Sequence, residues 1–185
     1  MAFFLGEKAG YTKEKIDVCT YGIELILSDI IVILITIIAA IVLHIRLYTL
    51  LMLTTFVTLR HRAGGFHASS HLKCNVLYFV AYACFVIGIK YIPDNIAGYT
   101  GLLICILGVV DIIKYAPIEH PNKPISAVKK VVFRRQSIIF AITFLFAAIL
   151  LKIVNADKFV LSIAFGVGYT ALSIVAEMIK RKWRC

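Results

Sequence analysis

The segment from Arg60 to Asn75, RHRAGGFHASSHLKCN, contains the side chains best suited to chemistry in this sequence. It holds three of the five histidines and Cys74, whereas the other four cysteines lie in or beside apolar stretches or at the C-terminus. A cysteine becomes a nucleophile when a nearby base takes its thiol proton and its surroundings favour the thiolate. His67 and Cys74 are the residues of this segment that could form such a pair.

The seven-residue spacing of His67 and Cys74 requires the chain to turn between them. On one straight helix the two residues would lie about 10.5 Å apart along the axis, too far for a hydrogen bond. Ser69 or Ser70 is a suitable N-cap, so a helix that begins there places Cys74 near its first turn and His67 on the incoming loop. The positive end of that helix and the neighbouring Lys73 would both favour the thiolate.

Two glycines and the other histidines of the segment add further possibilities. Gly64 and Gly65 permit positive φ and close backbone approach, so their amides are candidate donors to an oxyanion. A second interpretation of the segment is a zinc site, although the spacing matches no standard zinc motif well. Its ligands would be His61, His67, His71 and Cys74. A third interpretation is a basic loop at the membrane interface with no catalytic role. The catalytic interpretation requires no metal or other cofactor.

The composition indicates that a membrane surrounds most of the chain. Of 185 residues, 61% are hydrophobic, and the mean hydropathy of +0.93 excludes an ordinary soluble domain. A bilayer span takes about 20 apolar residues, and six apolar runs recur. They are residues 21–43, 47–59, 76–89, 96–113, 137–154 and 159–179. We therefore predict an all-α integral membrane protein with about six transmembrane helices, organised as a single domain over residues 1–185.

The basic residues predict the orientation of these spans. Lys and Arg outnumber Asp and Glu by 20 to 10, and sixteen of the twenty fall on the termini and the even-numbered connections. The positive-inside rule then places both termini, the segment 60–75 and the basic loop 114–135 in the cytoplasm. Residues 7–20, in which lysines alternate with apolar side chains, are predicted to form an interfacial helix on that surface. We expect no cleavable signal peptide.

Acidic residues interrupt the apolar runs at Glu24, Asp29 and Asp111. Ionisable groups at membrane depth usually face a partner or a polar cavity. Glu24 and Asp111 lie near the predicted cytoplasmic ends of their spans, so either could approach the level of the reactive segment. The alternative is structural ion pairing with Lys114 or Arg60.

The reactive segment carries a resemblance to a known family. RHRAGGFH followed by ASSHLKC closely resembles the signature of the accessory gene regulator B family, membrane cysteine endopeptidases of bacterial peptide quorum sensing. YGIELILSD, from Tyr21 to Asp29, and APIEHPNKPIS, from Ala116 to Ser126, look like other segments of that family. The resemblance implies that His67 and Cys74 are the catalytic pair of a multi-pass protein of the bacterial cell membrane.

The resemblance also implies the substrate, a small precursor peptide cut near its C-terminus. Members of the family hold the N-terminal fragment as a thioester on the enzyme cysteine until a cysteine of the fragment displaces it as a thiolactone. Cys74 would be the nucleophile and His67 first the base and then the acid, with Ser69 or Ser70 as possible positioning residues. Precursors in the family typically carry an acidic C-terminal tail, which the basic loop would bind. The substrate-binding candidates are Glu24, Lys123, Lys129 and Lys130.

A function from a different class also suits this architecture. Six spans with buried acids would serve a small peptide exporter or channel without proteolytic activity, and composition does not separate the two. The predicted cytoplasmic position of the segment, and a nucleophile that transport does not need, favour the enzyme. The expected partners are the precursor peptide, the lipid bilayer and a second copy of the chain as a homodimer. No nucleic-acid partner is expected, because the basic excess is accounted for by topology.

Overall fold

The computed structural model describes residues 13–65, 71–118 and 126–182 of the chain. These residues form six helices connected by short segments. The helices are α1 (Lys13–Val42), α2 (Arg46–Ala63), α3 (His71–Tyr91), α4 (Asp94–Tyr115), α5 (Ala127–Ile153) and α6 (Asp157–Lys182). Each of the six apolar runs falls in one helix, with at most one residue beyond its end. The all-α class predicted from the sequence is therefore confirmed for the described part of the chain.

The interfacial helix predicted for residues 7–20 is not a separate element where the structure describes it. Residues 13–20 form the beginning of α1, which continues without a break to Val42. No proline interrupts this stretch, and a Cβ added at Gly22 would have no atom within 4 Å. A separate interfacial helix needs a chain break before the span, and the sequence contains no residue that supplies one. Residues 7–12 lie outside the described residues.

Helix α6 is the centre of the bundle, packing most extensively against α4 and also contacting α2, α3 and α5. Small residues on α4 allow this close approach. A Cβ added at Gly101 would lie 3.0 Å from Val160 Cγ1, and one added at Gly108 would lie 2.7 Å from Val167 Cγ1. Closely spaced small residues let two helix backbones approach in the way that membrane helices commonly do.

The outer surface of the bundle is apolar, and its buried hydroxyls find hydrogen-bond partners inside the bundle. Exposed isoleucines, leucines and valines cover α1, α3, α4 and α5. Thr55 donates to Leu51 O at 2.8 Å and Thr170 to Gly166 O at 2.9 Å, each four residues earlier. Thr49 instead bonds to the Tyr82 hydroxyl of α3 at 3.2 Å. Such a surface would be costly in water and is suited to lipid.

Four helices of the described part, α3 to α6, are long and apolar enough to cross a membrane. The apolar portion of α1, Ile26–Val42, is shorter. Helix α2 contains four threonines and ends in Arg60, His61 and Arg62, which lowers its hydropathy. Length and composition thus support a membrane protein, whereas the count of six spans and the orientation of the termini remain predictions.

The helices alternate in direction, so that functional segments distant in sequence meet at one end of the bundle. Helix α4 runs the same way as α6, because Gly101 lies against Val160 and Gly108 against Val167. Helix α2 does so too, because Thr55 lies against Gly166 and Arg60 bonds to Ser173. Helix α3 runs the opposite way, because Gly88 lies against Phe165 while Tyr78 lies against Tyr169. The C-terminal ends of α2, α4 and α6 therefore meet the first turn of α3. We call this end of the bundle the reactive end.

Candidate active site

Cys74 lies in the first turn of α3, as expected for a helix that begins near Ser70. Its side chain is half-buried, in contrast to the exposed Cys84 later on α3 and the buried Cys105 on α4. Cys74 is close enough to Arg60 and Tyr169 for their charges to interact. A partly accessible thiol at a helix start beside a permanent cation is the kind of environment in which reactive cysteines occur.

Arg60, near the end of α2, holds together the parts of the chain around this thiol. Its Nη1 donates to Gly64 O at 2.9 Å and to Ser173 Oγ, on α6, at 2.8 Å. Burial lowers the pKa of the guanidinium, and negative charge on Cys74, Tyr169 or Glu177 would raise it. Arginine remains cationic at neutral pH because its ordinary pKa exceeds 12.

The two glycines form a turn that only glycine can adopt in this setting. Gly64 ends α2 with φ of +72° and Gly65 follows with φ of +129°. A Cβ at Gly64 would collide with the backbone oxygen of Ile118, and one at Gly65 would collide with the Arg60 guanidinium. The Gly64 amide donates to Arg60 O at 3.2 Å, so this N–H is used in ending the helix. Gly65 is therefore the stronger candidate of the two for donating to an oxyanion.

The glycine turn is attached to the segment that follows α4. Gly64 forms a parallel β-bridge with Ile118, and the Ile118 amide donates to Ala63 O at 2.9 Å. Ile118 and its neighbour Pro117 also form one wall of a cleft of about 410 Å³ at the reactive end. The residues lining this cleft, called here the basic cleft, are Lys114, Tyr115, Pro117, Ile118, Lys130, Met178 and Arg181. The cleft combines three cations with apolar side chains.

Helix α6 supplies a wall of the site that the sequence interpretation missed. Tyr169, Ser173 and Glu177 are spaced by four residues, so they lie on one face of the helix. The centroid of the Tyr169 ring lies 4.9 Å from that of Phe56 and 6.4 Å from that of Tyr78. Tyr78 lies one turn after Cys74 on α3. The four-residue spacing of Tyr169, Ser173 and Glu177 was the one sign of this wall in the sequence. Such spacings are common among the polar residues of apolar helices, so it did not distinguish these three.

Comparison with known proteins identifies the family. The family model described as Accessory gene regulator B matches residues 1–174. The chain belongs to the accessory gene regulator B family. It is 26% identical over 183 residues to an AgrB-like protein of Clostridium perfringens (strain 13 / Type A), covering 92% of this chain and 86% of the relative. It is 30% identical over 138 residues to accessory gene regulator protein B of Staphylococcus aureus (strain bovine RF122 / ET3-1), covering 72% and 69% of the two chains. No solved structure matches.

Membership of the accessory gene regulator B family gives the chain a role in the accessory gene regulator system. It agrees with the four apolar helices, because this is a family of membrane proteins. It is also consistent with peptide processing in quorum sensing. The resemblance drawn from the three sequence segments is thereby confirmed at the level of the family.

The structure brings some of the residues predicted for this family member together and leaves others apart. Lys129 and Lys130 are both exposed, and Lys130 lines the basic cleft. The Lys129 amide donates to Ser126 Oγ, the N-cap of α5, at 3.5 Å. Asp29 is exposed and Asp111 is half-buried. His67, Ser69, Ser70 and Lys123 lie outside the described residues, as does the side chain of Glu24. Their predicted roles in catalysis, positioning and substrate binding therefore stay predictions.

The zinc interpretation gains no support from the described residues. Within residues 13–65, 71–118 and 126–182, no three His, Cys, Asp or Glu side chains gather as metal ligands do. His61 is exposed near the end of α2. The side chains of His67 and His71 lie outside that part of the structure.

Proposed function

We propose that this chain is a membrane-embedded cysteine endopeptidase that cleaves a small precursor peptide near its C-terminus and forms a thiolactone from the N-terminal fragment. The observation that carries the proposal is the placing of Cys74. This half-buried thiol lies in the first turn of α3, beside the Arg60 charge, and Arg60 also binds the glycine turn that leads to His67. A transporter has no need of a nucleophile in such surroundings.

The reaction begins with attack of Cys74 Sγ on the scissile carbonyl carbon while His67 accepts the thiol proton. The tetrahedral intermediate collapses as the C–N bond breaks, and His67 returns the proton to the leaving amine. The N-terminal fragment stays on Cys74 as a thioester. A cysteine thiolate within the fragment then attacks the thioester carbonyl, which forms the thiolactone and releases the Cys74 thiolate.

The final exchange needs little driving force because it replaces one thioester with another. Hydrolysis by water would destroy the intermediate, so a site that limits water favours the ring. The half-buried position of Cys74 partly shields its thiol from water. In this proposal the Gly65 amide and the Arg60 charge stabilise the oxyanion that forms before each collapse.

The basic cleft is proposed to bind the acidic C-terminal tail of the precursor. Lys114, Lys130 and Arg181 bring three positive charges to one cleft, and Tyr115 and Met178 offer apolar contact beside them. The Ile118 wall of the cleft is hydrogen-bonded to the chain just before the glycine turn. The basic cleft and Cys74 therefore lie at the same end of the bundle. By the positive-inside rule this end faces the cytoplasm, where a precursor is made.

Mass spectrometry of the protein in lipid vesicles with a candidate precursor tests the proposal. An acyl adduct on Cys74 and a released C-terminal fragment are expected, and both should be absent from Cys74→Ala. His67→Ala should lose at least about 100-fold in rate, because a general base contributes about that much or more. Cys84→Ala is the matched control, since Cys84 is exposed on the same helix and should leave processing unchanged. Cleavage that survives Cys74→Ala would refute the proposal.

A further inference from the structure

The hydroxyl of Ser173 is fixed in one orientation at the reactive end. Ser173 Oγ donates to Thr170 O at 2.7 Å, one turn earlier on α6. A hydroxyl has one proton, so this donation leaves its lone pairs to accept. Arg60 Nη1 donates to that oxygen at 2.8 Å, across 113 positions of sequence. Helix α6 therefore presents Ser173 as an oriented acceptor for the guanidinium.

The same guanidinium nitrogen connects Ser173 to the glycine turn. Nη1 carries two protons, and its two acceptors are Ser173 Oγ and Gly64 O, at 2.8 and 2.9 Å. Gly65 is buried directly against this junction, because a Cβ there would collide with both Arg60 Nη1 and Ser173 Oγ. The position of α6, the rotamer of Arg60 and the path of the turn are thus coupled through one nitrogen atom.

Charge on the same face of α6 supports this arrangement. Glu177 lies one turn after Ser173, is only 3% exposed, and interacts electrostatically with Arg60. Its Oε1 is 3.5 Å from Arg181 Nε and its Oε2 is 3.9 Å from Lys180 Nζ, so the carboxylate also forms ion pairs along its own helix. A buried carboxylate near a buried guanidinium offsets part of the cost of removing that cation from water. Cys74 attracts the Arg60 cation most, and Tyr169 and Glu177, both on α6, add smaller attractions.

We propose that Ser173 is a positioning residue of the active site, which acts by holding Arg60 against Gly64 and thereby fixes the glycine turn beside Cys74. This inference rests on the proposed peptidase function. Without the hydroxyl, Arg60 keeps its charge but loses the acceptor that aims it. The turn then samples other paths, so the fraction of complexes with productive geometry falls. The basic cleft is formed by other side chains and stays intact, so precursor binding changes little.

The test compares the precursor-processing kinetics of Ser173→Ala, Ser173→Thr and wild-type protein in lipid vesicles. For Ser173→Ala we expect kcat to fall about ten-fold, equivalent to about 1.4 kcal/mol, with KM within about two-fold of wild type. Ser173→Thr keeps the hydroxyl and should recover most of kcat. Ser162→Ala is the matched control, because Ser162 is a buried α6 serine whose Oγ donates to Lys158 O at 2.8 Å toward the opposite end of the helix. It should process normally.

A double-mutant cycle with Arg60→Lys separates positioning from general destabilisation. If Ser173 acts through the guanidinium, Ser173→Ala should cost much less in the Arg60→Lys background than in wild type. Unchanged kcat in Ser173→Ala, an equal loss in Ser162→Ala, or full additivity in the cycle would each overturn the inference. If the wild-type protein processes the precursor and Ser173→Ala does so with the same kinetics, only this inference is overturned. A wild-type protein that processes no precursor would overturn the peptidase proposal as well.

Discussion

Replacing Gly65 with alanine tests the geometry of the glycine turn most directly. Gly65 has φ of +129°, a region that residues with a Cβ rarely adopt, and the new methyl group would meet Arg60 Nη1 and Ser173 Oγ. Backbone strain of this kind costs about 1–3 kcal/mol. Displacing Arg60 from one acceptor costs about another 1.5–3 kcal/mol, as for hydrogen bonds to charged groups. The combined cost at the site is therefore roughly 2.5–6 kcal/mol.

The cost should appear as lost turnover, because the change lies in a turn between helices and removes no core contact. At about 1.4 kcal/mol per factor of ten, the lower value of about 2.5 kcal/mol corresponds to a loss of about 60-fold in kcat/KM, so we expect a loss of at least that size. The assay is release of the C-terminal fragment by protein in lipid vesicles, with helical content and thermal midpoint measured in parallel.

Gly22→Ala is the matched control for this prediction. Gly22 lies in α1 without a positive φ, and a methyl group added there would have no atom within 4 Å, so alanine should be neutral or slightly stabilising. Gly65→Ala with kcat/KM within about three-fold of wild type would show that the turn is not constrained as described. Equal losses in both variants would point to a folding defect unrelated to the turn.

Three further predictions concern the basic cleft, the helix packing and the opposite end of the bundle. Lys130→Glu should weaken precursor binding and reduce the salt dependence of that binding, measured by titration at two salt concentrations. Lys90 is exposed at the far end of α3, so Lys90→Glu should bind the precursor as wild type does. Gly101→Leu should overpack α4 against α6, costing about 1–3 kcal/mol and lowering the thermal midpoint by several degrees. Asp157→Asn should destabilise the fold, since Asp157 is 7% exposed and accepts from Lys152 Nζ at 2.7 Å, while leaving turnover per folded molecule unchanged.

Each of these three predictions has a result that would contradict it. Salt-dependent binding by Lys130→Glu identical to wild type would remove the basic cleft from precursor recognition. An unchanged midpoint for Gly101→Leu in calorimetry or a thermal-shift assay would mean that α4 and α6 are farther apart than described. Altered turnover in folded Asp157→Asn would show that the ion pair at the start of α6 affects the active site near its end.

Much of the helical organisation could be predicted because it follows local rules. Apolar runs of bilayer length form helices, since every backbone polar group must be satisfied internally in lipid. Helix α4 begins at Asp94, directly after Pro93 and two residues before the predicted apolar run 96–113. The interfacial helix at residues 7–20 was the exception where it is described, because amphipathic spacing predicts a surface helix but does not predict where that helix would be separated from the next.

The sequence by itself determined the family, the reactive segment and the location of Cys74 near a helix start, because these depend on residue types and short spacings. Only the tertiary structure decided what surrounds the thiol. Ser173 meets Arg60 across 113 positions, and Gly64 pairs with Ile118 across the whole of α3 and α4. Such contacts depend on how the helices pack and in which direction each one runs. The small residues that permit this packing are visible in the sequence, but the partner each one faces is set by the assembled bundle.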